Sequence, residues 1–121
     1  MKRKFMLLIL LAGVLATAAL IAPKAEAQAA PHRIVIVAKR FSYDPGVITL
    51  KKGQPVVLVL KSADVAHGLR FRDFNISVKV KAGDTTEVQF TPDKDGDFVG
   101  HCSVFCGSGH GSMILKMHVV D

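Results

Sequence analysis

The stretch Pro55-Val-Val-Leu-Val-Leu-Lys61 carries five consecutive apolar residues, Val56 to Leu60, between a proline and a lysine. A run this short and this β-branched, apolar on both faces, predicts a strand covered on both sides near the middle of a sheet. Pro55 fits only at its first position, because it has no N–H to give to a ladder. Upstream, Val47-Ile-Thr-Leu-Lys51 reads as a short strand closed by Lys52-Gly53. Before it, Phe41-Ser-Tyr-Asp-Pro-Gly46 reads as a turn punctuated by Pro45 and Gly46, and Arg33 to Arg40 as a β-branched strand. Downstream, Leu69 and Phe71 alternate with Arg70 and Arg72, and Ile76-Ser-Val-Lys-Val80 follows. After the Lys81–Asp84 turn, Thr85 to Phe90 alternates with Thr86, Val88 and Phe90 inward. Asp93 to Gly96 is a polar turn, Asp97 to Cys102 a strand, and Met113 to Val120 a last strand with Leu115, Met117 and Val119 on one face. These eight short strands, without an amphipathic helix among them, predict an all-β Greek-key sandwich.

The chain has 121 residues, room for one domain. Its beginning has a different logic. Lys2-Arg3-Lys4 precedes a run of 18 residues, Phe5 to Ala22, that is apolar but for Gly13 and Thr17, and Ala25-Glu-Ala27 offers small residues for cleavage. That layout predicts a signal peptide over 1–27, a linker over 28–32 and a folded domain over 33–121. An uncleaved anchor formed by residues 5–22 is the competing reading, and both place the domain in the periplasm or elsewhere outside the cytoplasm. Residues 1–27 hold a net +3 of the chain's formal +6, so the domain is only mildly basic. That is too little and too scattered for nucleic acid, although it suits an acidic redox partner or anionic lipid.

The chemistry concentrates near the C-terminus, in Cys102-Ser-Val-Phe-Cys106-Gly-Ser-Gly-His110-Gly-Ser-Met113, with a second imidazole upstream in Asp64-Val-Ala-His67-Gly. Two cysteines in an exported protein ordinarily suggest a disulfide. Here a histidine and a methionine follow at short fixed spacing, and thiolate, imidazole and thioether together are the donors copper prefers. A structural zinc site would use two cysteines and two histidines but has no need of Met113. A mononuclear blue copper centre wants a single cysteine and leaves one thiol over. Two coppers bridged by both thiolates use every donor: one histidine apiece, Met113 for one metal and a backbone carbonyl for the other. His101 should point away from the ligand loop, His32 and His118 should be solvated, and Met117 should pack in the core. Asp64 is placed to brace His67.

The spacing Cys102-x-x-x-Cys106-x-x-x-His110-x-x-Met113, with His67 in Asp-Val-Ala-His-Gly, resembles the binuclear CuA domain of cytochrome c oxidase subunit II and of nitrous oxide reductase. The resemblance extends through Phe41 to Gly53, Asp64 to Phe71 and Gly96 to Met113. It implies a cupredoxin fold and a one-electron carrier. It further implies Cys102 and Cys106 as bridging thiolates, His67 and His110 as terminal ligands, Met113 as a weak ligand and Val104 as the carbonyl ligand. Its partners would be a cytochrome c-like donor or an oxidase or reductase acceptor, and a thiol–disulfide reductant for metallation. Three features depart from oxidase subunits: Val104 stands where they commonly carry Glu, the chain has no tryptophan, and a two-helix membrane hairpin is missing from its sequence. Four readings therefore remain beside each other: an electron carrier, free-standing or as the electron-entry subunit of an oxidase-like complex; a periplasmic copper-binding or delivery protein; a mononuclear cupredoxin; and a cupredoxin shell closed by a disulfide. No nucleophile, base and oxyanion arrangement marks an enzyme acting on its own.

Overall fold

The computed structural model describes residues 30–121 together with Ala19 and Ile21. The expected leader, its cleavage after Ala27 and the anchor over 5–22 lie outside the described residues. Among those described, no helix is long and apolar enough to cross a membrane.

Nine strands follow in order: β1 (His32–Lys39), β2 (Ser42–Asp44), β3 (Val47–Lys51), β4 (Val56–Ser62), β5 (His67–Phe71), β6 (Ile76–Val80), β7 (Thr85–Phe90), β8 (Gly96–His101) and β9 (Ile114–Val120). They form a four-stranded sheet in the order β2-β1-β4-β7 and a five-stranded sheet in the order β3-β9-β8-β5-β6. The pairs β1/β4 and β3/β9 are parallel, as required when the chain crosses between sheets instead of folding into successive hairpins. The apolar run of β4 is interior to its sheet, flanked by β1 and β7, and Val56, Leu58, Val59 and Leu60 are all buried. The only helical segments among the described residues are two 3₁₀ turns, Arg72–Phe74 and His110–Ser112.

The reading of Phe41 to Gly46 as a turn needs correction. Ser42 to Asp44 pairs antiparallel with β1, making nine strands instead of eight. The reason is Tyr43, which turns inward, is buried, and donates its hydroxyl to the Gly68 carbonyl at 2.5 Å, joining one sheet to the other. The bend itself is left to Pro45 and Gly46.

The core lies between the sheets. Ile36, Leu58 and Leu60 from one side belong to the same buried cluster as Leu69, Phe71, Leu115 and Met117 from the other. Gly100 on β8 is needed here because a β-carbon would fall 2.6 Å from the buried Phe71 ring. The alternation in β7 has Thr86, Val88 and Phe90 on the covered face, as its sequence predicts. Away from β8's C-terminal end, Phe74 packs edge-on against Phe98 with ring centres 4.7 Å apart.

Candidate metal centre

The two strands β8 and β9 define the ends of the ligand loop. Cys102 follows directly on β8 and Met113 directly precedes β9, and the Cys102 N–H donates to the Met113 carbonyl at 3.2 Å. Between them the loop closes through the 3₁₀ turn at His110–Ser112 and lies on the ring of Phe41. A β-carbon at Gly109 would fall 2.5 Å from that ring, and Gly107 adopts a φ of +139°, which side-chain-bearing residues rarely reach. His67 opens β5, and β5 is hydrogen-bonded to β8 with Arg70 opposite His101. That register brings a residue 35 positions upstream alongside Cys102.

The side chains converge. The Cys102 and Cys106 sulfurs are 3.8 Å apart, unbonded. Cys102 Sγ lies 3.9 Å from His67 Nδ1 and 3.2 Å from the Val104 carbonyl oxygen. Cys106 Sγ lies 3.7 Å from His110 Nδ1 and 3.7 Å from Met113 Sδ. All six positions singled out in the sequence therefore meet around one pair of sulfurs. The donor atoms of His67, Cys102 and Cys106 lie within 4.8 Å of one another, and all three residues are buried. Met113 is also fully buried, whereas His110 and Val104 are half-buried. Burial raises the Cys106 thiol, and the neighbouring Cys102 raises it further, with Arg40 opposing. A metal that binds here must displace that proton.

Asp64 orients His67. Its Oδ1 is 2.6 Å from His67 Nε2, which leaves Nδ1 facing the sulfurs. Partial burial works to raise the carboxyl, but the Arg40 and Val65 N–H groups and the His67 ring prevail and hold it near 2. Because this value lies below the ordinary 3.8, the carboxylate's contribution to stability is complete above that range and is lost as pH falls toward 2. The His67 contact should thus persist throughout the neutral and mildly acidic range. Asp64→Asn should weaken metal retention by roughly 10- to 100-fold without altering the number of ions bound. Competition with a graded series of chelators measures this, and unchanged retention would remove Asp64 from the account.

Three contributors were not identified as part of the site from the sequence. Arg40 donates its backbone N–H to Asp64 Oδ2 at 2.8 Å and its Nε to the Cys106 carbonyl at 2.9 Å, tying the His67 segment to the ligand loop. Phe41 supplies the surface on which the loop rests. Phe105 is 78% exposed beside the site, with its ring centre 5.6 Å from that of His110. No local spacing signals Arg40, which is 66 residues from its acceptor. An apolar residue between two ligands gives no hint that it will face solvent. The other expectations hold: His101 and His32 are exposed, His118 is partly exposed beside Asp97, and Met117 is in the core.

A cupredoxin-like domain model matches residues 7–115. Cytochrome c oxidase subunit 2 of Thermus thermophilus is 32% identical over 92 residues, which cover 74% of this chain and 68% of that protein. A second Thermus thermophilus subunit 2 gives the same identity, but this chain spans only 55% of its length. Among solved structures, the periplasmic domain of subunit II of the Bradyrhizobium japonicum cytochrome oxidase superposes with a TM-score of 0.68 at 21% identity, over 74% of this chain and 84% of that one. A subunit II of cytochrome c oxidase, held in a mixed disulfide with a thioredoxin-like protein, superposes with a TM-score of 0.64 at 19% identity, over 83% and 89% of the two chains. A β-sandwich with a buried His–Cys–Cys cluster at one end, matched over most of its length, places this chain in the cupredoxin-like domain family and makes it a homologue of cytochrome c oxidase subunit 2.

Proposed function

We propose that this protein is an extracytoplasmic electron carrier holding two copper ions between Cys102 and Cys106, with His67, His110, Met113 and the Val104 carbonyl completing the site. The observation that carries this reading is the sulfur pair, 3.8 Å apart and unbonded, with an imidazole nitrogen within 4 Å of each sulfur. The donor types fit copper: two thiols and a thioether are soft, two imidazoles are borderline, and the carboxylate at hand is turned to His67 instead of the sulfurs. Copper, when bound, supplies a one-electron couple.

The chain's own residues make that couple useful. Asp64 fixes the His67 ring, Arg40 fixes the Cys106 carbonyl, and two hydrogen-bonded strands of one sheet, β8 and β9, fix the ends of the loop. Donors held in this way need little rearrangement when an electron arrives or leaves. Burial of both sulfurs and of His67 keeps water and competing thiols away, which favours a resident centre over a site that passes copper on. Slow loss to a strong chelator supports that distinction, and rapid loss favours delivery.

The measurement that tests the proposal is copper stoichiometry with electron paramagnetic resonance on reduced, reconstituted and partly reoxidised protein. About two coppers per chain, with hyperfine structure from two equivalent nuclei, is the expected result. One copper with an ordinary mononuclear pattern would overturn the binuclear reading.

Two thiols this close can also close on each other in an oxidising compartment, and copper requires them as thiolates. A thiol–disulfide reductant therefore belongs among the partners of this chain, a role supported by the mixed disulfide of the subunit II structure with a thioredoxin-like protein. Oxidised protein should take up almost no copper until it is reduced. Equal uptake by both forms would show that the pair does not need that partner. We further propose that residues 1–27 direct export, by cleavage or as a tether, and that the electron partner is a cytochrome-like donor or an oxidase-type acceptor.

A further inference from the structure

We propose that the outer face of the five-stranded sheet beside Cys102 is the docking surface for an acidic electron-transfer protein, with Arg70, Arg72 and His101 as its recognition groups. This inference rests on the electron-carrier reading and identifies the kind of protein that reads the site.

The pattern begins in the strand register. In β5, Leu69 and Phe71 point into the core, so Arg70 and the following Arg72 point out. Gly100 and Cys102 turn inward along β8, so His101 turns out, and pairing sets it directly opposite Arg70. The three side chains border a shallow cleft of about 170 Å³ whose remaining lining is Cys102 and Ser103. Arg70 and Arg72 also line an adjoining hollow with Asn75 and Ser77. Among the described residues, neither arginine is in an ion pair, whereas Arg33, Lys52 and His118 each face a carboxylate.

Neither the cleft nor the adjoining hollow is lined by a carboxylate among the described residues. Asp93, Asp95 and Asp97 occupy the turn and first residues leading into β8, at the far end of that strand from His101. Asp73 follows Arg72 in the 3₁₀ turn beyond β5, and Asp73, Asp93 and Arg72 itself line a neighbouring hollow. These carboxylates thus border the face on the Arg72 side but stay out of the cleft shared with His101. A partner with surface carboxylates is therefore attracted to the cleft beside Cys102. Such steering raises encounter rates and is weakened by salt.

A carboxylate lodged between Arg70 and Arg72 would meet a cleft lined by Cys102 itself, giving electrons a short path between the proteins. The lining of the two hollows is polar, with Ser77, Asn75 and Ser103 around the arginines and Ile76 buried beneath them. That composition favours a protein surface over an anionic membrane.

The test uses the full chain, metal-free and in its reduced copper-loaded form. Its probes are one basic cytochrome c and the same cytochrome with its lysines succinylated, which keeps the haem and reverses the surface charge. The succinylated form should bind in low salt, shift the backbone amide resonances of Arg70, Arg72, His101 and Ser103, and release as salt is raised. Arg70→Glu with Arg72→Glu should weaken that binding roughly tenfold or more. Lys39→Glu with Lys61→Glu, the same charge change on the other sheet, should have much less effect. Equal or tighter binding of the basic cytochrome, or resonance shifts elsewhere on the surface, would overturn the proposal. Binding to phosphatidylglycerol vesicles through these arginines, without binding to the acidic cytochrome, would also overturn it and identify the face as a lipid contact. Because the metal-free protein is read alongside the loaded one, loss of docking is distinguishable from failure of the copper reading.

Discussion

Cys106→Ser should reduce bound copper from about two ions per chain to one at most and abolish the binuclear resonance, while the metal-free protein remains folded. The sulfur of Cys106 touches three donors at the site: Cys102 Sγ at 3.8 Å, His110 Nδ1 at 3.7 Å and Met113 Sδ at 3.7 Å. A serine hydroxyl nearly matches the thiol in size, but it is a hard donor with no tendency to bridge two coppers. The change should alter the stability of the metal-free domain by only about 1–2 kcal/mol, the cost of a buried hydroxyl that finds an imperfect partner. Copper analysis, magnetic resonance and thermal denaturation of the same preparation separate loss of metal from loss of fold. A variant that kept two coppers and the parent spectrum would show that Cys106 does not bridge. His67→Ala is a poorer first choice, because His67 is fully buried and its removal leaves a cavity and deprives Asp64 of its partner. That variant would mix a ligand effect with a packing effect.

Phe71→Ala should be the most damaging change to the fold, costing about 3–5 kcal/mol. The Phe71 ring is completely buried, in the same apolar cluster as Leu69, Leu115 and Met117. It also occupies the space that Gly100 leaves open on the adjoining strand, where a β-carbon would meet it at 2.6 Å. Two hydrogen-bonded strands border the resulting void and cannot easily collapse into it. For a domain of this size the loss corresponds to a fall in unfolding midpoint of roughly 15–30 °C. Thermal denaturation of the metal-free, reduced protein is the suitable measurement, since bound copper would mask part of the effect. A loss below about 1 kcal/mol would mean that the sheets close over the gap and that Phe71 is not central to their packing.

The strands were legible because burial imposes a period on the sequence. Val47 to Lys51 and Thr85 to Phe90 alternate as half-covered strands, and Val56 to Leu60 is apolar throughout, with every side chain but the half-buried Val57 out of water. Ser42 to Asp44 escaped this reading. A three-residue strand is too short to show a period, and its single inward side chain, Tyr43, is held by a carbonyl 25 residues away.

The site divides along the same line. Cys102, Cys106, His110 and Met113 share one loop, so their spacing in the chain constrains their spacing in space, and the donor chemistry can be read from residue types alone. His67 was included on donor type and count, with a resemblance to a known segment beside it, but its position next to Cys102 depends on the pairing of β5 with β8. Arg40, Phe41 and the basic cleft had no such signal. Arg40 reaches Cys106 across 66 residues, Phe41 supports a loop it does not adjoin in the chain, and Arg70 meets His101 only through strand register. Local order along the chain encodes period, turn chemistry and donor type. Which distant side chains share a surface depends on how two twisted sheets close on one core, and that is a property of all the strands together.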